Sequence, residues 1–174
     1  MINFQKHLRV IGGKQMKVNL LINQKHLAKD GYLNIDPTAT KEDSPLIIEG
    51  NPTILESHIE DGEADEIIAM NIIDYVSYPK VSTVLKQWAG KLSHKGKLII
   101  GFTDVLSVCR RFYIGQITKE KMAEMLYGKC VEGWDVKKAC LTLESMKSKF
   151  NEVGLKINNI KILEHFIVIE GERP

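Results

Sequence analysis

Residues 79–102 read PKVSTVLKQWAGKLSHKGKLIIGF, and this stretch decides the fold class. In its first half Val81, Val84, Leu85, Trp88 and Leu92 recur on one helical stripe, and Pro79 suits a first turn, so a helix is predicted from Pro79 to Leu92. Ser93 to Gly96 then reads as a polar turn, and Lys97 to Phe102 as a buried strand. A helix of this length running into a strand predicts a right-handed βαβ crossover.

Upstream, Asp65 to Met70 (DEIIAM) and Pro45 to Glu49 (PLIIE) are short runs with apolar centres, the second ended by Gly50-Asn51-Pro52. Such runs suit parallel strands covered on both faces. Tyr32 to Ile35, closed by Asp36-Pro37, and Met16 to Ile22 (MKVNLLI) read the same way. The stretch between these two, QKHLAKDG, has room for a loop or one helical turn but not for a crossover helix of ~10–15 residues. Residues 1–15, with Gly12 and Gly13 among basic and polar neighbours, are expected to be a lead-in to a single domain over residues 16–174.

Downstream, Thr118 can cap a helix reaching Tyr127 with Gly128 as its stop, and Thr142 can cap another that lines up Leu143, Met146, Phe150 and Val153. Leu155 to Leu163 and His165 to Glu170 follow with almost nothing between them, which requires an antiparallel hairpin. The expected fold is therefore α/β, a Rossmann-like open and mostly parallel sheet with a C-terminal antiparallel hairpin. Leu20, Ile47, Ile68 and Ile100 are expected on four neighbouring parallel strands.

Composition narrows the function only by exclusion. The 174 residues are 44% hydrophobic, enough for one continuous core, and 24 basic against 22 acidic residues leave a net charge of +2. That balance gives no strong nucleic-acid or membrane-surface signal. No apolar run approaches the ~18 residues of a membrane span. Cys109, Cys130 and Cys140 are odd in number and show no CxxC spacing, and the first residues lack an apolar signal core, so a cytoplasmic, reduced protein is expected. The five histidines have no zinc-site spacing, and no metal is expected.

Several stretches in one order resemble the class I S-adenosylmethionine-dependent methyltransferases, whose small members often read LNLGCG…PGYINVD…FDEIYASHVLEH…LKPGGKLII. The corresponding stretches are Val18 to Asn23 (VNLLIN), Asp30 to Asp36 (DGYLNID), Ala64 to Tyr75 (ADEIIAMNIIDY) and Leu92 to Ile100 (LSHKGKLII). The resemblance implies S-adenosylmethionine as cofactor, bound at the carboxyl ends of the strands by Asn23, Asp36, Asn51, Met70 and Asn71. It places Asp36 against the ribose hydroxyls, Asn51 near the adenine, and Asp74 as the general base. The chain departs from that pattern at the first motif, where Leu21, Ile22 and Asn23 stand in place of glycines. Side chains there should narrow the pocket, and of the three only Asn23 tolerates left-handed backbone.

Bland readings stand beside these. Asp36-Pro37 and Asn51 are also ordinary turn residues, Asp74 a loop start, and Asp104 a helix cap. The cluster Cys109-Arg110-Arg111-Phe112-Tyr113 fits either a phosphate-bearing partner or a solvated helix face, and Trp134 either an interface anchor or core. Two functions follow: a methyltransferase of unknown substrate, or a catalytically inactive binding or assembly module on the same fold, self-associating or part of a larger complex.

Overall fold

The computed structural model describes residues 16–132 and 135–174; the expected lead-in over residues 1–15 and the Trp134 reading lie outside them. The described residues form one seven-stranded sheet of order β3-β2-β1-β4-β5-β7-β6. Its strands are β1 (Met16–Leu20), β2 (Leu33–Asp36), β3 (Ile47–Glu49), β4 (Ala64–Met70), β5 (Leu92–Thr103), β6 (Lys156–Leu163) and β7 (Phe166–Glu172). The helices are α1 (Val81–Lys91), α2 (Val105–Tyr113), α3 (Lys119–Tyr127) and α4 (Leu143–Glu152). Strands β1 to β5 are mutually parallel, and β7 runs antiparallel to both β5 and β6. Leu20, Ile47, Ile68 and Ile100 do lie on parallel strands of one sheet, but β2 stands between the strands of Ile47 and Leu20.

Side chains alternate across a strand, so each strand divides its residues between two faces. One face carries Val18, Leu20, Ile35, Ile67, Ala69, Leu98, Ile100, Phe102, Ile167 and Ile169, all in a single core cluster with Trp88 of α1 and Met146 and Phe150 of α4. The helix predicted from Pro79 starts at Val81, because Tyr78–Lys80 forms a separate 3-10 turn, and it ends at Lys91 because Leu92 already pairs with Ala64. The Ser93 to Gly96 turn lies within β5: the register shifts there, and the ladder resumes at Glu66 opposite Lys97.

The other face is more polar. Tyr32 donates a hydrogen bond to Glu66, Lys97 pairs with Glu170 at 3.0 Å, and Asn19 donates to Asn34 at 2.8 Å. Between β1 and β2 there is no crossover helix but a loop with the 3-10 turn Lys25–Leu27. The buried asparagines hold that loop against the sheet: Asn19 Nδ2 donates to the Leu27 carbonyl (3.0 Å), and Asn34 Oδ1 accepts from the Lys29 amide (2.8 Å). Asn34 Nδ2 donates in turn to the carbonyls of Lys29 and Leu46, and such pairing is what lets these amides be buried.

The expected caps form. Thr118 and Thr142 accept from the amides of Lys121 and Ser145, and Gly128 stops α3 with φ 85°.

Candidate functional site

Strand order reverses between β1 and β4, and an open parallel sheet forms its ligand crevice at the carboxyl ends beside that point. Asn23 follows β1 and Asn71 follows β4, with φ of 49° and 59°, so both take the left-handed backbone that asparagine tolerates better than most residues. Neither side-chain amide has a hydrogen-bond partner among the described residues, and Asn23 is exposed. The Asn71 backbone is fixed, its amide donating to the Gly101 carbonyl at 2.9 Å. Met70 lies over Gly101, with its sulfur 2.5 Å from where a Cβ at 101 would stand. Of the residues in the glycine positions, Leu21 is 3% exposed and its amide donates to the Ile35 carbonyl at 2.9 Å, while Ile22 packs against the core.

Asp36 ends β2 and is fully buried. Its Oδ1 accepts from the Thr38 amide (2.8 Å) and hydroxyl (2.7 Å), the local turn that Asp-Pro predicts. Its Oδ2 is buried without a partner among the described residues. Leaving a buried acceptor unmatched costs about 1–3 kcal/mol, and more when it is charged. A ligand hydroxyl would satisfy this atom, so the ribose end of S-adenosylmethionine fits the residues present, provided the loop after Asp36 opens to admit it. At the amino-acid end Asn23 keeps the left-handed turn, but Leu21 and Ile22 bring side chains where the glycines would leave space.

Asn51 is exposed, and its Oδ1 accepts from the amide (2.9 Å) and hydroxyl (2.8 Å) of Thr53, so the turn engages it. Near it stands His58, which no local motif singles out. That imidazole lies over Gly50, and a Cβ at 50 would stand 2.5 Å from its Nε2 and 2.8 Å from Ile35 Cγ2, so a side chain there would displace both. Burial holds the His58 pKa below the ordinary histidine value.

Asp74 is 1% exposed and heavily engaged. Its Oδ2 pairs with Lys137 Nζ at 3.1 Å, its carboxylate accepts from the Thr103 amide, and its carbonyl accepts from the amides of Lys138 and Ala139. The same ammonium donates to Thr103 Oγ1 (2.7 Å) and the Met125 carbonyl (3.0 Å). Asp104 is the cap of α2, accepting from Ser107, and also accepts from the Leu143 amide at 2.9 Å. The two carboxylates thus anchor residues 135–143 as a strap across the ends of β4 and β5. Tyr75, next to the strap, donates to Asp135 at 3.4 Å, and burial first, then Asp135 and Asp74, push its pKa up to about 12.

No group of three His, Cys, Asp or Glu side chains among the described residues is arranged to hold a metal ion, and no helix among them is long and apolar enough to cross a membrane. Cys109, Cys130 and Cys140 are free and exposed.

No protein-family model and no curated protein matches the sequence. Solved structures do match over nearly the full chain. An S-adenosylmethionine-dependent methyltransferase from Mesorhizobium loti superposes with a TM-score of 0.63 at 12% identity, covering 92% of each chain. One from Methanosarcina mazei gives 0.59 at 14% identity over 99% of this chain and 98% of the other. The complex between the Haloferax volcanii Trm112 methyltransferase activator and a methyltransferase contains a chain that matches at 0.63 and 11% identity, over 98% of this chain and 88% of that one. With this strand order, the antiparallel β7 and these matches over nearly the full chain, the chain has the class I methyltransferase fold.

Proposed function

We propose that this chain binds S-adenosylmethionine across the carboxyl ends of β1, β2 and β4 and transfers its methyl group to an acceptor of unassigned identity. The observation that carries the reading is the buried Oδ2 of Asp36 at the end of β2, beside the switch point, which has no partner among the described residues. In this reading Asp36 accepts from the ribose hydroxyls, the free amides of Asn23 and Asn71 contact the amino-acid part, Met70 packs beneath it, and Asn51 stands at the adenine side. When bound, the cofactor supplies an electrophilic methyl group. The protein contributes positioning, which accounts for much of such catalysis. Asp74, which the resemblance suggests as a base, acts here through Lys137 and the strap as a positioning residue.

A second reading, a non-catalytic binding module, is favoured by Leu21, which is buried and hydrogen-bonded to β2 where the cofactor would need open backbone. Calorimetry with S-adenosylmethionine and S-adenosylhomocysteine separates the two. The methyltransferase reading expects measurable binding that Asp36→Ala weakens about tenfold or more, since a hydrogen bond to a charged group contributes roughly 1.5–3 kcal/mol. It also expects Leu21→Gly to tighten binding. No binding up to about millimolar cofactor, a level that corresponds to only about 4 kcal/mol, would leave the module reading standing.

A further inference from the structure

The turn joining β6 to β7 consists of Glu164 and His165, and it rests against α2. Glu164 has φ 58°, a conformation that costs a non-glycine residue energy, and its carboxylate pairs with Arg111 Nη1. That pair is the outer wall of the junction, because the Glu164 side chain is 70% exposed. Inside it, Arg111 Nε is buried without a partner among the described residues, and so is His165 Nδ1. Glu164 uses only Nη1, so the Nε–Nη2 edge of the guanidinium has no partner among the described residues. This is the edge with two parallel N–H groups that grips an oxyanion side-on. The backbone here is fixed, since the Asp104 amide donates to the His165 carbonyl at 2.8 Å.

Three cations stand around the junction, each with a carboxylate partner of its own. Burial foremost, then Arg111 of α2, and further Lys137 of the strap and Lys121 of α3, hold the His165 pKa below the ordinary histidine value, with Glu164 opposing. Lys137 is committed to Asp74, and Lys121 pairs with Glu124 at 2.8 Å, so the ligand contacts fall to Arg111 and His165.

We propose that the junction between α2 and the β6–β7 turn is a phosphate-binding site, built on the free edge of Arg111 and the Nδ1 edge of His165, with Glu164 as the group that swings aside. A phosphate suits it better than a carboxylate. Its oxygens point in several directions at once, toward α2 and toward the turn, so one group can accept from both edges. The site adjoins Asp104, at the carboxyl end of β5. On the methyl-transfer reading, and only on it, this is where a phosphate on the acceptor would be held; the site itself does not depend on that reading.

The test is a proton NMR titration of the histidine ring signals of the full chain at constant ionic strength, with inorganic phosphate and with acetate as separate additions. Phosphate should raise the His165 pKa by about 1 unit, as a nearby opposite charge does, while His26, His58 and His94 stay unchanged. Arg111→Met should abolish the shift, and Arg111→Lys, which keeps the charge but loses the two-pronged edge, should give less than half of it. A His165 response equal for phosphate and acetate, or one that survives Arg111→Met, would overturn the proposal, as would no response to phosphate at all. A far-UV spectrum and melt matching the unmodified chain show that a lost response in Arg111→Met is not unfolding. Because no S-adenosylmethionine is added, a failure here is separate from failure of the methyl-transfer reading.

Discussion

Trp88 joins the crossover helix to the sheet, and replacing it tests the frame that positions every group described above. Its ring is fully buried in the core, and its indole Nε1 donates to the Pro52 carbonyl at 2.9 Å, which ties α1 to the turn after β3. Trp88→Ala removes the ring and leaves a cavity, a change that costs about 3–5 kcal/mol. It also strips the Pro52 carbonyl of its donor, which adds about 1 kcal/mol or more if the space stays dry. The sum is a large part of the roughly 5–15 kcal/mol by which domains are stable, so the alanine variant should be only marginally folded. Trp88→Phe makes the measurement readable. It keeps most of the ring and loses the hydrogen bond, for a cost of about 1–3 kcal/mol, or several degrees in Tm at about 2–4 °C per kcal/mol for a chain of this size. Urea melts followed by far-UV circular dichroism, with the slope compared between variants, give both values. A loss below about 1 kcal/mol for Trp88→Ala would mean that the helix does not pack as described, and equal losses for the two variants would mean that the cavity argument is wrong.

Two further outcomes follow from the strap and its neighbours. Lys137→Met should destabilise by about 3–5 kcal/mol, because it leaves the Asp74 carboxylate buried without its cation, whereas the double change Lys137→Met with Asp74→Leu should recover much of that loss; urea melts of the three variants decide it. At alkaline pH, Tyr75 and Tyr32 both titrate at about 12 in the fold, Tyr32 chiefly because it donates to Glu66. Their folded pKa lies above the ordinary tyrosine value of 10, so the stability they contribute is intact below pH 10 and is lost as pH rises from 10 through 12. The alkaline transition should shift upward in Tyr75→Phe, and an unchanged pH profile would count against the burial of that phenol.

The strands could be read from the sequence because each is a short apolar run between turn residues, and α1 because its stripe has a helical period. The absence of a helix between β1 and β2 was legible too, from the length of the gap. What misled was the boundary at Leu92: a polar SHKG segment reads as a turn, and only its pairing with Ala64 and its hydrogen bonds to Arg173 draw it into the strand. The neighbour relation of Ile47 and Leu20 was missed because apolar runs do not encode strand order. The site was less legible still. Asn23 could be singled out as the residue able to take a left-handed turn, and it does. Lys137 and His165 carry no local signal, because each gains its meaning from segments far away in sequence: Lys137 from Asp74, Thr103 and Met125, and His165 from α2.

The position of β7 bears on how the protein can be made. This strand comes after β6 in the chain yet lies between β6 and β5, with Ile167 and Ile169 inserted into the core. On the ribosome, β1 to β5 and both α1 and α4 emerge before it, so for that interval β5 presents a full-length edge of unpaired amides and carbonyls. Such an edge invites pairing with any other strand within reach. The sheet can close only once residues 166–172 have left the exit tunnel and slipped between β5 and its neighbour. Nascent chains halted short of that point should therefore be protease-sensitive and aggregation-prone.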